Sequence, residues 1–249
     1  EDEGVVTIDE ERDYRFRYVL ADLDGNSKDY TFVVRGKQQP IAPWKPEGKN
    51  LLRWNEDNMV WDLGLELTIP QGRLYDDMEL NYRLLVDSTV VSYQYQLHDR
   101  PVPLHEPCPL KIGVHKFPVK DMSKYYVVQL KNGKKASRGG RFENGYMHAM
   151  VSELGTFAVA IDTIAPRVVP LNRNAWKNGN IQFKITDAET GIKSYKVYID
   201  GAFALFTFSS KNARLKLKHP NRLKKGIPHE LTVEVTDYCG NQARESYTF

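Results

Sequence analysis

The chain has 249 residues, 41% hydrophobic and 27% charged, with a formal net charge of +3. That composition excludes a disordered chain, no apolar run approaches the ~18–20 residues of a membrane-spanning helix, and the charge is too small to imply a nucleic-acid partner. Two cysteines, Cys108 and Cys239, make no disulfide framework and have no metal-ligand spacing, so each is expected to be a free thiol in a turn.

The first residues, "EDEGVVTIDEERD", are acidic and lack the pattern of a signal peptide, which suggests a mature chain or an excised fragment. The first element follows at once. In "YRFRYVLAD", Tyr14, Phe16, Tyr18 and Leu20 alternate with Arg15 and Arg17, the period of a half-buried strand. Next comes "DLDGN", which raises the question of calcium. A calcium loop of the EF-hand kind needs glycine at position 6 and glutamate at 12, whereas Gly25 stands at position 4 with no glutamate in place. The same stretch has an echo, "DYCGN", near the C-terminus, where Cys239 replaces Asp24 while Asp237, Gly240 and Asn241 repeat Asp22, Gly25 and Asn26. Asp can accept turn amides, and Gly and Asn tolerate positive φ, so both copies are expected to be metal-free hairpin turns. After the turn the copies differ by two residues in length, which preserves inward–outward parity. Residues 1–36 therefore look like the closing hairpin of a truncated sandwich, its front half missing or its strands completing a neighbouring sheet.

Residues 37–57 are Pro- and Gly-rich and are expected to be a linker. Trp44, Trp54 and Trp61 lie in and beside it. They are expected to plug a seam between domains, with Trp61 facing the middle core because it shares parity with Leu63; the alternative is an exposed platform that stacks on sugar rings. Residues 58–162 form a second β-region. Within it, "YQLHDRPVPLHEPCPL" gathers His98, Asp99, His105, Glu106 and Cys108. Pro101, Pro103, Pro107 and Pro109 hold this stretch extended and spread those side chains apart, so a proline-rich connection is expected, with no metal or catalytic site. The basic runs "KNGKKASRGGR" and "HPNRLKKG" are expected to be solvated loops, and Gly139 and Gly140 a wide turn with no phosphate role.

Residues 163–249 complete the chain with alternating strands in "KSYKVYIDG" and "HELTVEVTD". No amphipathic helix longer than about two turns is visible. The fold class expected is all-β, tandem antiparallel β-sandwiches in an extended array.

The segment "DTIAPRVVPLN…ITDAETGIKSYKVYIDG…LTVEVTDYCGNQARESYTF" resembles bacterial extracellular immunoglobulin-like repeats in the order of its motifs. The middle segment, with "LTIPQGRLYD", "PLKIGV" and "GTFAVAID", is similar to the ZU-type sandwich of ankyrins and netrin receptors, although Arg73 stands where a small residue is usual. The succession resembles the C-terminal region of secreted lysostaphin/LytM-type zinc peptidases of Gram-negative anaerobes. That resemblance implies an upstream catalytic domain whose zinc is held by H-x-x-x-D and H-x-H motifs. Neither occurs here: His98, His105, His115, His148, His219 and His229 are never separated by a single residue. The expected reading is a non-catalytic, cofactor-free, extracytoplasmic accessory array, periplasmic, outer-membrane-associated or secreted. Its partners would be its own catalytic domain and peptidoglycan or another glycan. The rival reading is a carbohydrate-binding module with the tryptophans as its platform.

Overall fold

Period-two alternation becomes antiparallel pairing along the chain, and the fold is all-β. The structure, a computed structural model, describes residues 6–38, 48–131, 133–219, 223–224 and 226–249. The chain forms two compact units, residues 1–45 and 46–249.

In the first unit, β1 (Asp13–Ala21) and β2 (Ser27–Arg35) form a two-stranded sheet. Phe16 lies opposite Phe32 and Tyr18 opposite Tyr30, which puts the aromatic residues on one face. The Phe16 and Phe32 rings stack at 5.1 Å. In the turn, the Asp22 carboxylate accepts the backbone N–H groups of Asp24 and Asn26 and the Asn26 side-chain amide. Gly25, at φ +85, takes the left-handed conformation the turn requires. The acid is engaged by its own turn.

The second unit begins with a sandwich built from β3 (Leu51–Leu52), β4 (Asn58–Asp62), β5 (Leu65–Ile69), β6 (Met78–Glu79), β7 (Arg83–Leu85) and β8 (Gln94–Gln96). It continues with β9 (Val102–Gly113), β10 (Tyr125–Lys131), β11 (Lys134–Gly139), β12 (Arg141–Glu143), β13 (Tyr146–Leu154) and β14 (Thr156–Ile161). One sheet runs β11-β10-β14-β8-β7, the other β12-β13-β9-β5-β4, and β3 pairs with β6. Leu67, Leu110, Ile112 and Met147 from one sheet meet Tyr95, Val127, Phe157 and Val159 from the other in a single core. An Asn144-Gly145 turn, both residues at positive φ, joins β12 to β13.

Three expectations are corrected here. Residues 48–57 are not linker: Leu52 is buried in the core, Leu80 N–H donates to Asn50 O, and Trp54 N–H donates to the Asp77 carboxylate. The run "KKASRG" is strand β11 and no loop; Arg138 within it pairs with Glu153 and donates to the Gln129 side chain. Cys108 lies in strand β9, facing the core, while Cys239 does occupy a turn. The prolines of β9 sit in a sheet because β5 pairs only with Leu110–Ile112, leaving the earlier half of β9 with one neighbour.

The second sandwich comprises β15 (Arg167–Leu171), β16 (Gln182–Thr186), β17 (Ile192–Ile199), β18 (Ala202–Phe203), β19 (Phe206–Ser209), β20 (Arg214–Leu217), β21 (Glu230–Asp237) and β22 (Gln242–Thr248). Its sheets are β15-β16-β20-β19 and β18-β17-β21-β22. Trp176, fully buried between them, packs on Phe183 and Tyr247 and donates its indole N–H to Leu171 O at 2.8 Å.

The β21–β22 turn repeats the bonds between the first turn's Asp and Asn, without a counterpart to the Asp24 N–H bond. Asp237 accepts the backbone N–H and side-chain amide of Asn241, and Gly240 takes positive φ. Pairing is identical as well: Val233 faces Glu245 and Leu231 faces Tyr247, as Tyr18 faces Tyr30 and Phe16 faces Phe32. The two-residue difference in length after the turn is therefore not structural. Counted from the turn the copies are in register, and the parity is the same.

Candidate functional site

The two tryptophans that the structure describes lie at the surface of the first sandwich of the second unit. Trp61 is 74% exposed and Trp54 49% exposed, while Trp44 lies outside the described residues. Trp61 shares its side of β4 with Met59, opposite Glu66 and Thr68 of β5, while Val60, opposite Leu67, turns inward. The hairpin turn at Leu63-Gly64 restarts the alternation, so the parity of Trp61 with Leu63 points both of them to solvent.

The proline-rich cluster does not converge either. The His98 ring stacks no catalytic partner: its Nδ1 accepts the Asn81 N–H and its Nε2 faces Asp99 at 3.1 Å. His105 stacks on Tyr75, Glu106 pairs with Arg73, and Cys108 turns into the core, where burial pushes its thiol pKa up. A raised pKa leaves little thiolate, the form that attacks or binds metal.

The side chains that do come together lie between the two sandwiches of the second unit. Asp162 follows the last strand of the first sandwich, and its N–H donates to Lys124 O. Its carboxylate accepts the Thr190 hydroxyl at 2.7 Å and the Ile164 N–H at 3.1 Å. The Asn241 side-chain amide donates to Asp162 O at 3.0 Å as well as to Asp237 at 2.7 Å. Lys124 Nζ donates to Cys239 O at 2.9 Å, and the Tyr126 hydroxyl donates to the Glu189 carboxylate. Cys239 itself is buried among Val90, Tyr126, Val128, Ala158 and Ala160 of the first sandwich. Burial raises its thiol pKa to about 11, so it acts here as a small apolar side chain.

Asp162, Asp187 and Asp237 each present a carboxylate oxygen, and these oxygens lie within 4.8 Å of one another. Asp162 and Asp237 are buried. Asp187 is held by the N–H groups of Glu189, Thr190 and Gly191, and burial, followed by the charge of Asp162, raises its pKa. Such a cluster has two chemical capacities: it can give oxygen ligands to a hard divalent cation, or it can relieve its repulsion by holding a proton on Asp187. Sequence reading missed it because the three acids are far apart in the chain. Their shared signal is that two of them open tight turns, "DAETG" and "DYCGN", and the third closes a strand.

Comparison with known proteins bears on the first sandwich. Residues 49–162 match the family model of the Zu5-like domain. The match begins at the stretch that carries β3 and ends on Asp162, the residue at the joint. No curated protein matches the chain. Among solved structures, an adhesin of an Antarctic bacterium, described as Ca2+-stabilized and binding ice, is similar at 10% identity with a TM-score of 0.21. That likeness covers 95% of this chain and 55% of the adhesin chain, so this chain spans about half of that protein's length. So low a score leaves the reading to this chain's own residues. No helix among the described residues is long and apolar enough to cross a membrane.

Proposed function

We propose that this chain is a non-catalytic, extracytoplasmic array that spaces, orients or anchors a secreted cell-wall hydrolase, with its catalytic domain elsewhere in the same protein. The domain limits proposed are 58–162 and 163–249, with the β3 stretch added to the first. The observation that carries this reading is the joint. A spacer must hold one direction, and the Zu5-like sandwich and the last sandwich share a buried apolar cluster and a set of crossing hydrogen bonds. The resemblance to accessory domains of LytM-type peptidases supports the cell-wall setting. The scattered reactive groups of the proline-rich stretch support an accessory role over an enzymatic one.

The test is a distance measurement between spin labels at Glu56→Cys and Lys216→Cys, one on each sandwich. A single narrow distance supports a fixed spacer, whereas a broad distribution rejects it. The native thiols, both buried, do not compete for the label.

The exposure of Trp61 with Met59 and Leu63 favours a second reading, a glycan platform. Titration with soluble peptidoglycan fragments decides between them. Binding that weakens about tenfold in Trp61→Ala, with unchanged stability, would support the platform. Absence of binding would leave the spacer alone.

A further inference from the structure

We infer that the β1–β2 hairpin is one half of an immunoglobulin-like sandwich, and that its aromatic face is a docking surface for a β-sheet of the same polypeptide lying N-terminal to Asp13. The inference goes beyond the spacer reading, since it concerns a third sandwich in the array.

It starts from the equivalence of the two hairpins, which share turn bonding and register over their whole length. In the last sandwich, the positions equivalent to Phe16, Tyr18 and Leu20 are Leu231, Val233 and Val235, each 0% exposed. They are covered by the sheet β15-β16-β20-β19, and β21 is also paired on its free side by β17. Among the described residues of its own unit, the first hairpin has neither. Tyr18 is 59% exposed and Leu20 69%, and among the described residues β1 pairs with β2 alone. Thus one face and one strand edge are left open at the positions where the twin buries a core and makes a ladder. An isolated two-stranded ribbon is marginal in water, and an open apolar edge invites pairing.

The chemistry of the missing piece follows from the twin. It presents an apolar sheet face to Phe16, Tyr18, Phe32 and Val34, and it supplies one strand antiparallel to β1. Its place in the chain follows too. In the last sandwich every covering strand precedes the closing hairpin in sequence.

Amide hydrogen exchange tests this on two forms of the protein. One is residues 1–249; the other reaches about 70 residues further toward the N-terminus, the length such a ~100-residue sandwich places ahead of its closing hairpin. In 1–249 the β1 amides should exchange at least about 100-fold faster than those of β21, and in the longer form they should slow to match. Phe16→Ala should leave 1–249 unchanged and speed exchange in the longer form. Equal protection of β1 and β21 in 1–249 would overturn the inference. Protection that rises with concentration would also overturn it, since a second copy would then be the occupant. Persistent fast exchange in the longer form would do the same. None of these outcomes depends on the joint between the other two sandwiches.

Discussion

The two hairpins share one turn and one register but live in different surroundings. β1–β2 leaves Tyr18 and Leu20 exposed and Phe16 half-buried, while β21–β22 buries Leu231, Val233 and Val235. At the tip of the turn the first copy carries Asp24, and the second carries Cys239, which packs on the neighbouring sandwich. Turn geometry is thus set by a few local hydrogen bonds, and what a turn does is set by what its tip and faces touch. The Asp-Gly-Asn device is used once as a turn alone and once as the clamp of a joint.

The largest contrast is expected in the cores of the two hairpins. Leu231→Ala should cost about 3 kcal/mol in a denaturant melt, whereas Phe16→Ala in the same chain should stay within about 0.5 kcal/mol. Equal costs would mean that the first hairpin is packed after all. Next come the turn acids. Asp237→Ala strips two buried donors on Asn241 of their acceptor and should cost about 2 kcal/mol. Asp22→Ala, in the exposed copy, should leave the melting midpoint where it was. The Asn26 side-chain bond and then its backbone bond depress the Asp22 pKa. Its contribution, confined to the hairpin, is therefore present above the unfolded value of about 3.9 and lost as pH falls through the lower folded value.

A third contrast is in pH response. His229 occupies the position of Tyr14 in the first copy. Its Nδ1 lies 2.6 Å from the Asp200 carboxylate and its Nε2 lies 2.7 Å from Lys224 O, both of which only accept, so the ring is held as imidazolium. The Lys224 carbonyl and then Asp200 raise its pKa. A raised folded pKa on a base means stability that is full below the unfolded value of about 6.5 and is lost as pH rises through the folded one. His229→Gln should flatten that loss in melts run from pH 5 to 9, and an unchanged pH profile would refute the assignment.

The smallest effect belongs to the carboxylate cluster. Because the folded pKa of Asp187 is raised, the unfolded chain ionises first, and stability falls as pH climbs from the unfolded value through the folded one. Asp187→Asn keeps an acceptor for the turn amides and removes the repulsion. In EDTA it should raise the midpoint slightly at pH 7 and leave it unchanged at pH 3. A calcium-dependent rise in the parent chain that disappears in Asp187→Asn would show instead that the cluster holds a cation.

Much of the fold is legible in the sequence because a half-buried strand writes its period directly. Tyr14 to Leu20 and Leu231 to Val235 are examples, and the Asp22 and Asp237 turns were readable from residue types alone. Trp61 was misplaced because a Gly64 turn resets parity, which a run of alternating residues does not announce. Lys134–Gly139 read as a loop because basic residues flanked by glycine look solvated whether or not a neighbouring strand pairs with them. The joint was invisible for a different reason: Asp162, Lys124, Thr190 and Asn241 meet only through tertiary contact, and none has a sequence neighbour that betrays the others.

The central claim, that the second copy of the turn clamps the two sandwiches into one body, is tested most directly by exchanging the residue at its tip. Calorimetry of the full chain should compare Cys239→Asp with Asp24→Cys. Aspartate at 239 puts a charge into the apolar cluster next to Asp162 and Asp237, a burial that costs several kcal/mol when unpaired. The account predicts that Cys239→Asp splits the melting of the second unit into two separate transitions, while Asp24→Cys leaves the trace unchanged. A Cys239→Asp variant that melts in one transition at the parental midpoint would contradict it.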